Sequence, residues 1–310
     1  MHFTFKQPDL VRAMPQEKAK PAWLEVLIFL GIFLLVELCT SLVQLVFLLP
    51  QALICQRLSK PITAADMMPT LLLSQLASIF LMLLLAKAFR KRQAWTFGFK
   101  KRNMGREYIR GAILGLSLMT LMAAIGMLTG SLVVLPGSEG FSLSFLLQFL
   151  VIFAGYLCQG MFEEVAFRGY LIPALARKKG HYWMAILVSA LLFAAAHLGN
   201  PGISFLAFLN LTLFGIFAGI YFLKRGDLWG IGALHALWNF TQGNVWGVLV
   251  SGMDPGPTLM ISMPIPGKEL LSGGSFGLEG GFIATAVLLF AILVVLQTQQ
   301  KDPAPAKENS

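Results

Sequence analysis

Long apolar runs separated by short polar connections dominate the chain. About 20 mostly apolar residues suffice to cross a bilayer as a helix. Eight runs reach or approach that length: Leu24–Leu49, Met67–Leu85, Gly111–Leu135, Phe145–Ala176, Tyr182–Leu198, Ile203–Leu223, Leu228–Val250 and Phe276–Leu296. The pattern predicts an all-α polytopic membrane protein of about eight transmembrane helices. It divides into an N-terminal tail (1–21), a three-span region (22–135) with a basic loop at 87–110, a core (140–250), a last transmembrane helix (276–300) and a disordered tail (301–310).

Composition agrees with that class. The 310 residues are 56% hydrophobic and 13% charged, with a mean hydropathy of +0.73. Soluble domains carry about 25% charged residues, so a soluble enzyme, a disordered chain and a secreted disulfide scaffold are excluded. Cys39, Cys55 and Cys158 have neither paired nor metal-like spacing. The net charge of +9 fits the cationic cytoplasmic loops of a membrane protein better than nucleic-acid binding. With the N-terminus cytoplasmic, only Arg57, Lys60 and Lys268 of the 24 Lys and Arg fall on the opposite side, and Arg168 lies within the fourth run. Both termini are therefore expected in the cytoplasm, in a bacterial host at the cytoplasmic membrane. Lys6, Arg12, Lys18, Lys20 and Pro21 precede a full-length apolar run with no small-residue cleavage site, the mark of an uncleaved anchor.

The connections carry little chemistry of their own. Lys87–Arg110 interleaves basic residues with Trp95, Phe97 and Phe99, as expected of a loop lying on anionic lipid. The pairs Gly111/Gly115, Gly126/Gly130 and Gly215/Gly219 have the spacing of close helix packing. Gly273–Gly281 lacks the Lys-Ser/Thr ending of a phosphate cradle and is expected to be a loop. No internal repeat is visible, which weighs against an inverted-repeat transporter.

Ionisable groups in a bilayer are costly and mark candidate function. Glu37, Glu163, Glu164, Arg168, His197 and His235 fall inside the runs, with Asn239 beside the last. Residues four apart share a helix face, so Glu164 and Arg168 can neutralise each other. Glu163, about 100° further round, is left to face something else. His235 and Asn239 present two polar groups to one spot, and Phe193 gives His197 an aromatic neighbour. Counted from the cytoplasmic ends, Glu163 and His197 lie about 20 and 22 Å deep, and His235 and Asn239 about 10–16 Å. A shared cavity reachable from the cytoplasm is expected, with Ile152–Ala176 spanning and Gly140–Phe149 as an interfacial lead-in. A carboxylate and an imidazole on one water form a general-base pair, and a His/Asn pair can stabilise an oxyanion. Glu163, His197 and His235 are also a ligand set for catalytic zinc. The HExxH spacing is absent, so a metal-independent site with no cofactor is favoured and zinc is kept as the alternative.

Three motifs carry a family resemblance. Glu163-Glu164-Val-Ala-Phe-Arg168 resembles the EExxxR motif of the CPBP family, the CAAX proteases and bacteriocin-processing enzymes that include type II CAAX prenyl endopeptidases. Phe193-Ala-Ala-Ala-His197 resembles its FxxxH motif and His235-Ala-Leu-Trp-Asn239 its HxxxN motif. The similarity covers Leu147–Trp246. It implies an eight-helix intramembrane endopeptidase. Glu163 is implied as catalytic base, His197 as water-activating group, and His235 and Asn239 as oxyanion stabilisers. Arg168 with Glu164 is implied as support, and glutamate-activated water as the mechanism. The implied partner is a membrane-associated, lipidated or apolar peptide. In a bacterial host, which lacks prenylated proteins, apolar peptides or membrane-protein ends are expected. The competing class is a non-catalytic scaffold, such as an immunity or secretion partner, or a transporter on the same fold. A scaffold would be expected to lose at least one of these costly residues. Of the remaining polar groups, Glu37 is expected to be a neutral acid bonded to a backbone carbonyl, and Glu25 and Glu279 to be interfacial. Asn210-Leu-Thr212 lies within a span and is discounted as a glycosylation site.

Overall fold

The computed structural model describes residues 20–137, 142–177 and 181–300. The N-terminal tail with His2, Lys6, Arg12 and Lys18, the residues Gly140, Phe141, Lys178 and Lys179, and the tail 301–310 lie outside the described residues.

The chain is a helical membrane protein. The first elements are α1 (Ala22–Arg57), α2 (Ala64–Leu73), α3 (Gln75–Arg90), α4 (Met104–Leu128) and α5 (Leu143–Leu175). α6 (Tyr182–Ala195), α7 (Phe205–Arg225), α8 (Trp229–Phe240) and α9 (Phe282–Gln297) follow. Five segments are long and apolar enough to cross a membrane: α1, Asp66–Arg90, α4, α5 and α7. On α1 the buried residues Phe29, Ile32, Val36 and Thr40 form one narrow stripe. Leu27, Leu34, Leu38, Leu42 and Leu45 stand exposed beside it. A helix apolar all round that buries so little of itself is solvated by lipid.

The other three apolar runs fold into shorter helices. α6 has 14 residues, α8 has 12 followed by a five-residue π turn (Thr241–Val245), and α9 has 16. At 1.5 Å per residue α6 is about 21 Å long, against about 30 Å of hydrocarbon. Asn200-Pro201-Gly202 bars continuation of α6, Gly247 turns the chain at φ 67° after the π turn, and the glycines 273–281 delay the start of α9. The third run is also displaced. Its helix spans Met104–Leu128, and Leu132–Pro136 is a strand, β1, paired antiparallel with β2 (Met260–Pro264). Gly130, at φ 61°, ends the helix, and the β-branched pair Val133-Val134 suits the ribbon. Gly126/Gly130 therefore serves a turn. Gly111 and Gly115 do lie against the backbone of Gly230 and Leu234 on α8, and Gly215 packs on Ala190.

The basic segment 87–110 is not a loop on the lipid surface throughout. Lys87–Arg90 ends α3, Ala94–Phe97 is a 3-10 turn, and Met104–Arg110 opens α4. Arg90 is buried against Glu25 (2.7 and 2.9 Å), in the first turn of α1. Arg92 is buried too. It donates to the carbonyls of Gly169 (2.9 Å), Tyr170 (2.9 Å) and Thr96 (3.1 Å) and lies over the Phe97 ring. The cause is local to α5. Pro173 has no N–H to offer the carbonyl four residues back, Gly169, and the helix relaxes into a π turn over Val165–Leu171. Arg92 takes up the released carbonyls. Replacing Arg92 with Ala strands them in an apolar interior, so we expect a loss of about 2–4 kcal/mol, read as a lower thermal midpoint of the purified protein in detergent.

The two ends of the bundle differ in charge. At one end Leu228 N donates to Gly98 O (2.9 Å), Trp229 to Lys100 O (3.0 Å), and Arg225 to Glu107 (2.6–3.0 Å). This end gathers Arg90, Lys91, Arg92, Lys100, Lys101, Arg102, Arg106, Arg177, Lys224 and Arg225. The opposite end holds the β ribbon, the turns 196–204 and 246–281, and, among described basic residues, Arg57, Lys60 and Lys268. There Lys268 Nζ donates to the carbonyls of Thr129 (3.2 Å) and Gly130 (3.0 Å).

Candidate active site

The site is built from α5 outward. Gln159 and Glu163, four apart, share one face, and Gln159 Nε2 donates to Glu163 Oε1. Glu164 and Arg168 share another, and Arg168 Nη1 donates to Glu164 Oε1 at 3.0 Å with both side chains wholly buried. The facing of the two glutamates is thus as their spacing predicts. Glu163, with 17% of its side chain exposed, is the one that reaches open space.

α8 supplies the second layer. His235 Nδ1 lies 2.8 Å from the same Glu164 oxygen. A carboxylate can only accept, so Nδ1 carries the hydrogen. The ring is thereby held with Nε2 3.6 Å from Glu163 Oε2. Asn239, one turn on, donates Nδ2 to Gln159 Oε1 at 2.9 Å. A chain of contacts therefore runs from Asn239 through Gln159 and Glu163 to His235 and Glu164, ending at Arg168.

α6 contributes Phe193 and the turn beyond it His197, which lies just past the helix end. His197 Nδ1 is 2.9 Å from the Phe193 carbonyl, again an acceptor, so Nε2 is the free nitrogen of the neutral ring. The Phe193 ring touches His197 (4.8 Å) and His235 (5.9 Å) and carries the Arg168 guanidinium over it at 4.6 Å. Nε and Nη2 of Arg168 have no hydrogen-bond partner in this apolar nest. Its charge rests on Glu164 and on the Phe193 and Phe214 ring faces.

Glu163, Phe193, His197, His235 and Asn239 line one cavity of about 350 Å³, with Glu164 and Arg168 buried behind it. The structure thus brings together all seven residues singled out from the three motifs. Its walls also come from outside 140–250. Glu37 on α1 lines the cavity and, among the described residues, makes no bond to a backbone carbonyl. Glu279 lines it as well, although its position near a span end suggested an interface. It accepts from Trp238 Nε1 (2.9 Å), Ser251 Oγ (2.9 Å) and Ser251 N (3.1 Å), tying the turn at 251 to α8. Gln159 was not foreseen either, although its place four residues before Glu163 is a signal. Asn210 is buried, bonded to the carbonyls of Glu279 and Gly281.

The exposed part of the cavity lining lies away from the basic end. On the basic side Phe33, Phe162 and Phe167 close it, with Phe33 stacked on Phe162 at 6.1 Å and 5.5 Å from Phe167. On the far side its lining comes from the turns after α6 and α8: Asn200, Val250, Ser251 and Met253, the last 41% exposed.

Among the described residues no three of His, Cys, Asp and Glu converge as metal ligands. His235 and His197 each commit Nδ1 to a protein acceptor, and Glu163 shares one oxygen with Gln159. Nε2 of each ring is left as the nitrogen available to a ligand.

Comparison with known proteins bears on the same segment. No curated protein matches the chain. Residues 145–241 match the family model described as type II CAAX prenyl endopeptidase Rce1-like, a protease family. All seven motif residues lie inside that stretch, and the match supports the CAAX protease family.

Proposed function

We propose that the protein is an intramembrane endopeptidase that hydrolyses a peptide bond in an apolar or membrane-associated polypeptide by glutamate-activated water. The supporting observation is the convergence of Glu163, His197, His235 and Asn239 from three helices on one cavity. Glu163 takes the proton of the attacking water. His197, with Nδ1 fixed on Phe193, offers Nε2 to orient that water and to carry the proton to the leaving amine. His235, as an imidazolium with Nδ1–H held by Glu164, presents Nε2–H, and Asn239 presents Nδ2–H, to the developing oxyanion. Asn239 spends one of its two N–H groups on Gln159 and keeps the other for substrate. Glu164 and Arg168 do not touch substrate in this scheme; they position His235.

The eight apolar helical segments, the three short ones included, are read as eight crossings with both termini on the basic, cytoplasmic side. Lys91, Lys101, Arg102 and Arg106 are exposed at that end and suit anionic headgroups. Nucleic acid is not a partner in this reading.

The test is cleavage of a quenched-fluorescent library of apolar peptides by the purified protein, with and without chelator. Cleavage that survives chelation supports glutamate-activated water. Loss on chelation with recovery on adding zinc overturns that mechanism and keeps the protease. No cleavage by a folded protein moves the assignment to the non-catalytic scaffold.

A further inference from the structure

The end of the bundle from which the cavity opens decides where substrate comes from. α6 and α8 begin at the basic end and α9 finishes there, with Lys224 Nζ bonded to the carbonyls of Leu296 and Thr298. At the other end α6 and α9 fall about 6–9 Å short of a full crossing. The turns 196–204 and 246–281 occupy the depth the helices leave. Asn200 Nδ2 on Ser251 O (3.0 Å) and Gly252 N on Phe276 O (3.0 Å) tie those turns together above the cavity. Among the described residues the basic end is built differently. It is sealed by the Phe33/Phe162/Phe167 rings, and beneath them by Arg92 on the π-turn carbonyls and Arg90 on Glu25. Basic residues mark the cytoplasmic face.

We infer that the cavity is loaded from the non-cytoplasmic face of the membrane. Its substrate is an apolar polypeptide segment presented there, not a prenylated C-terminus arriving from the cytoplasm. This deepens the protease reading and rests on it. The lining agrees. It holds Glu37, Glu163 and Glu279, and among the described residues no Lys or Arg, so it offers no cation to a terminal carboxylate.

The experiment places single cysteines in a background lacking Cys39, Cys55 and Cys158. Met253→Cys sits at the mouth and Lys101→Cys at the basic end. A membrane-impermeant maleimide is applied to right-side-out and to inverted membrane vesicles. Met253→Cys is expected to label at least tenfold faster in right-side-out vesicles, and Lys101→Cys in inverted ones. In detergent, a bulky maleimide on Met253→Cys should reduce peptide cleavage at least tenfold relative to the same variant unlabelled, and the same adduct on Lys101→Cys should not. Labelling of Met253→Cys from the cytoplasmic side overturns the inference, as does a block by the Lys101→Cys adduct. Should the cysteine-free background misfold, the unmodified protein in the two vesicle types, given an impermeant fluorogenic peptide, decides the matter. Cleavage confined to right-side-out vesicles supports the inference, and cleavage confined to inverted ones overturns it. If no unlabelled protein cleaves, the protease reading fails, and the labelling pattern alone still reports which face the mouth occupies.

Discussion

Glu163→Gln is expected to lower kcat for peptide cleavage by about 10²–10⁴-fold, the range set by removing a positioned general base. That is about 3–5 kcal/mol of lost transition-state stabilisation. The amide is close in shape to the carboxylate, so KM should change little. The fold should not suffer. In the native protein His235 Nε2 stands 3.6 Å from Glu163 Oε2, and the cavity wall adds the carboxylates of Glu37 and Glu279 and, among the described residues, no Lys or Arg. A carboxylate so surrounded costs stability, and neutralising it should leave the thermal midpoint unchanged or raise it. Activity and stability are thus expected to move in opposite directions, which a merely structural glutamate would not produce. Glu163→Asp keeps the charge but withdraws it by one methylene, and its rate should fall between the two. A Glu163→Gln enzyme that retains more than a tenth of wild-type kcat would remove Glu163 from the role of base.

Much of the site is legible in the sequence because helical spacing is local. Glu163, Glu164 and Arg168 sit on one helix, and a count of residues is enough to say that two pair and one does not. His235 and Asn239, and Phe193 and His197, are legible for the same reason. The contacts that escape are those between distant segments. Glu25 meets Arg90 across 65 positions and Glu279 meets Trp238 across 41, and neither has a local signature. Apolar runs have a related weakness. Hydropathy reports what lipid or protein interior will accept, not where a helix stops, so it overstates the length of α6 and reads β1 as part of a span. Polar amides such as Gln159 carry no charge and stand out less in an apolar run. Yet this one holds both Glu163 and Asn239. The closing of the basic side was also illegible, because it depends on three phenylalanines from two helices.

Breaking the buried Glu164–Arg168 pair should cost more stability than any other single change considered. Removing one member of such a pair leaves a charge with neither partner nor water, at about 3–5 kcal/mol. Arg168→Met abandons the Glu164 carboxylate to a single bond from His235. Glu164→Gln leaves Arg168 with an uncharged amide oxygen and the faces of Phe193 and Phe214 in place of a counter-charge, and it weakens the 2.8 Å contact that sets the His235 ring. Each single variant is expected to lower the thermal midpoint steeply. The double variant Glu164→Gln/Arg168→Met should recover part of the loss, since it buries no unpaired charge, and a double-mutant cycle reads the coupling directly. Activity should separate from stability here as well. With Glu164 an amide, His235 is no longer held with Nε2 towards Glu163, so the double variant should regain folding without regaining kcat. Recovery of both together would mean that the pair only braces the helices. Recovery of stability alone would assign Glu164 to the positioning of His235.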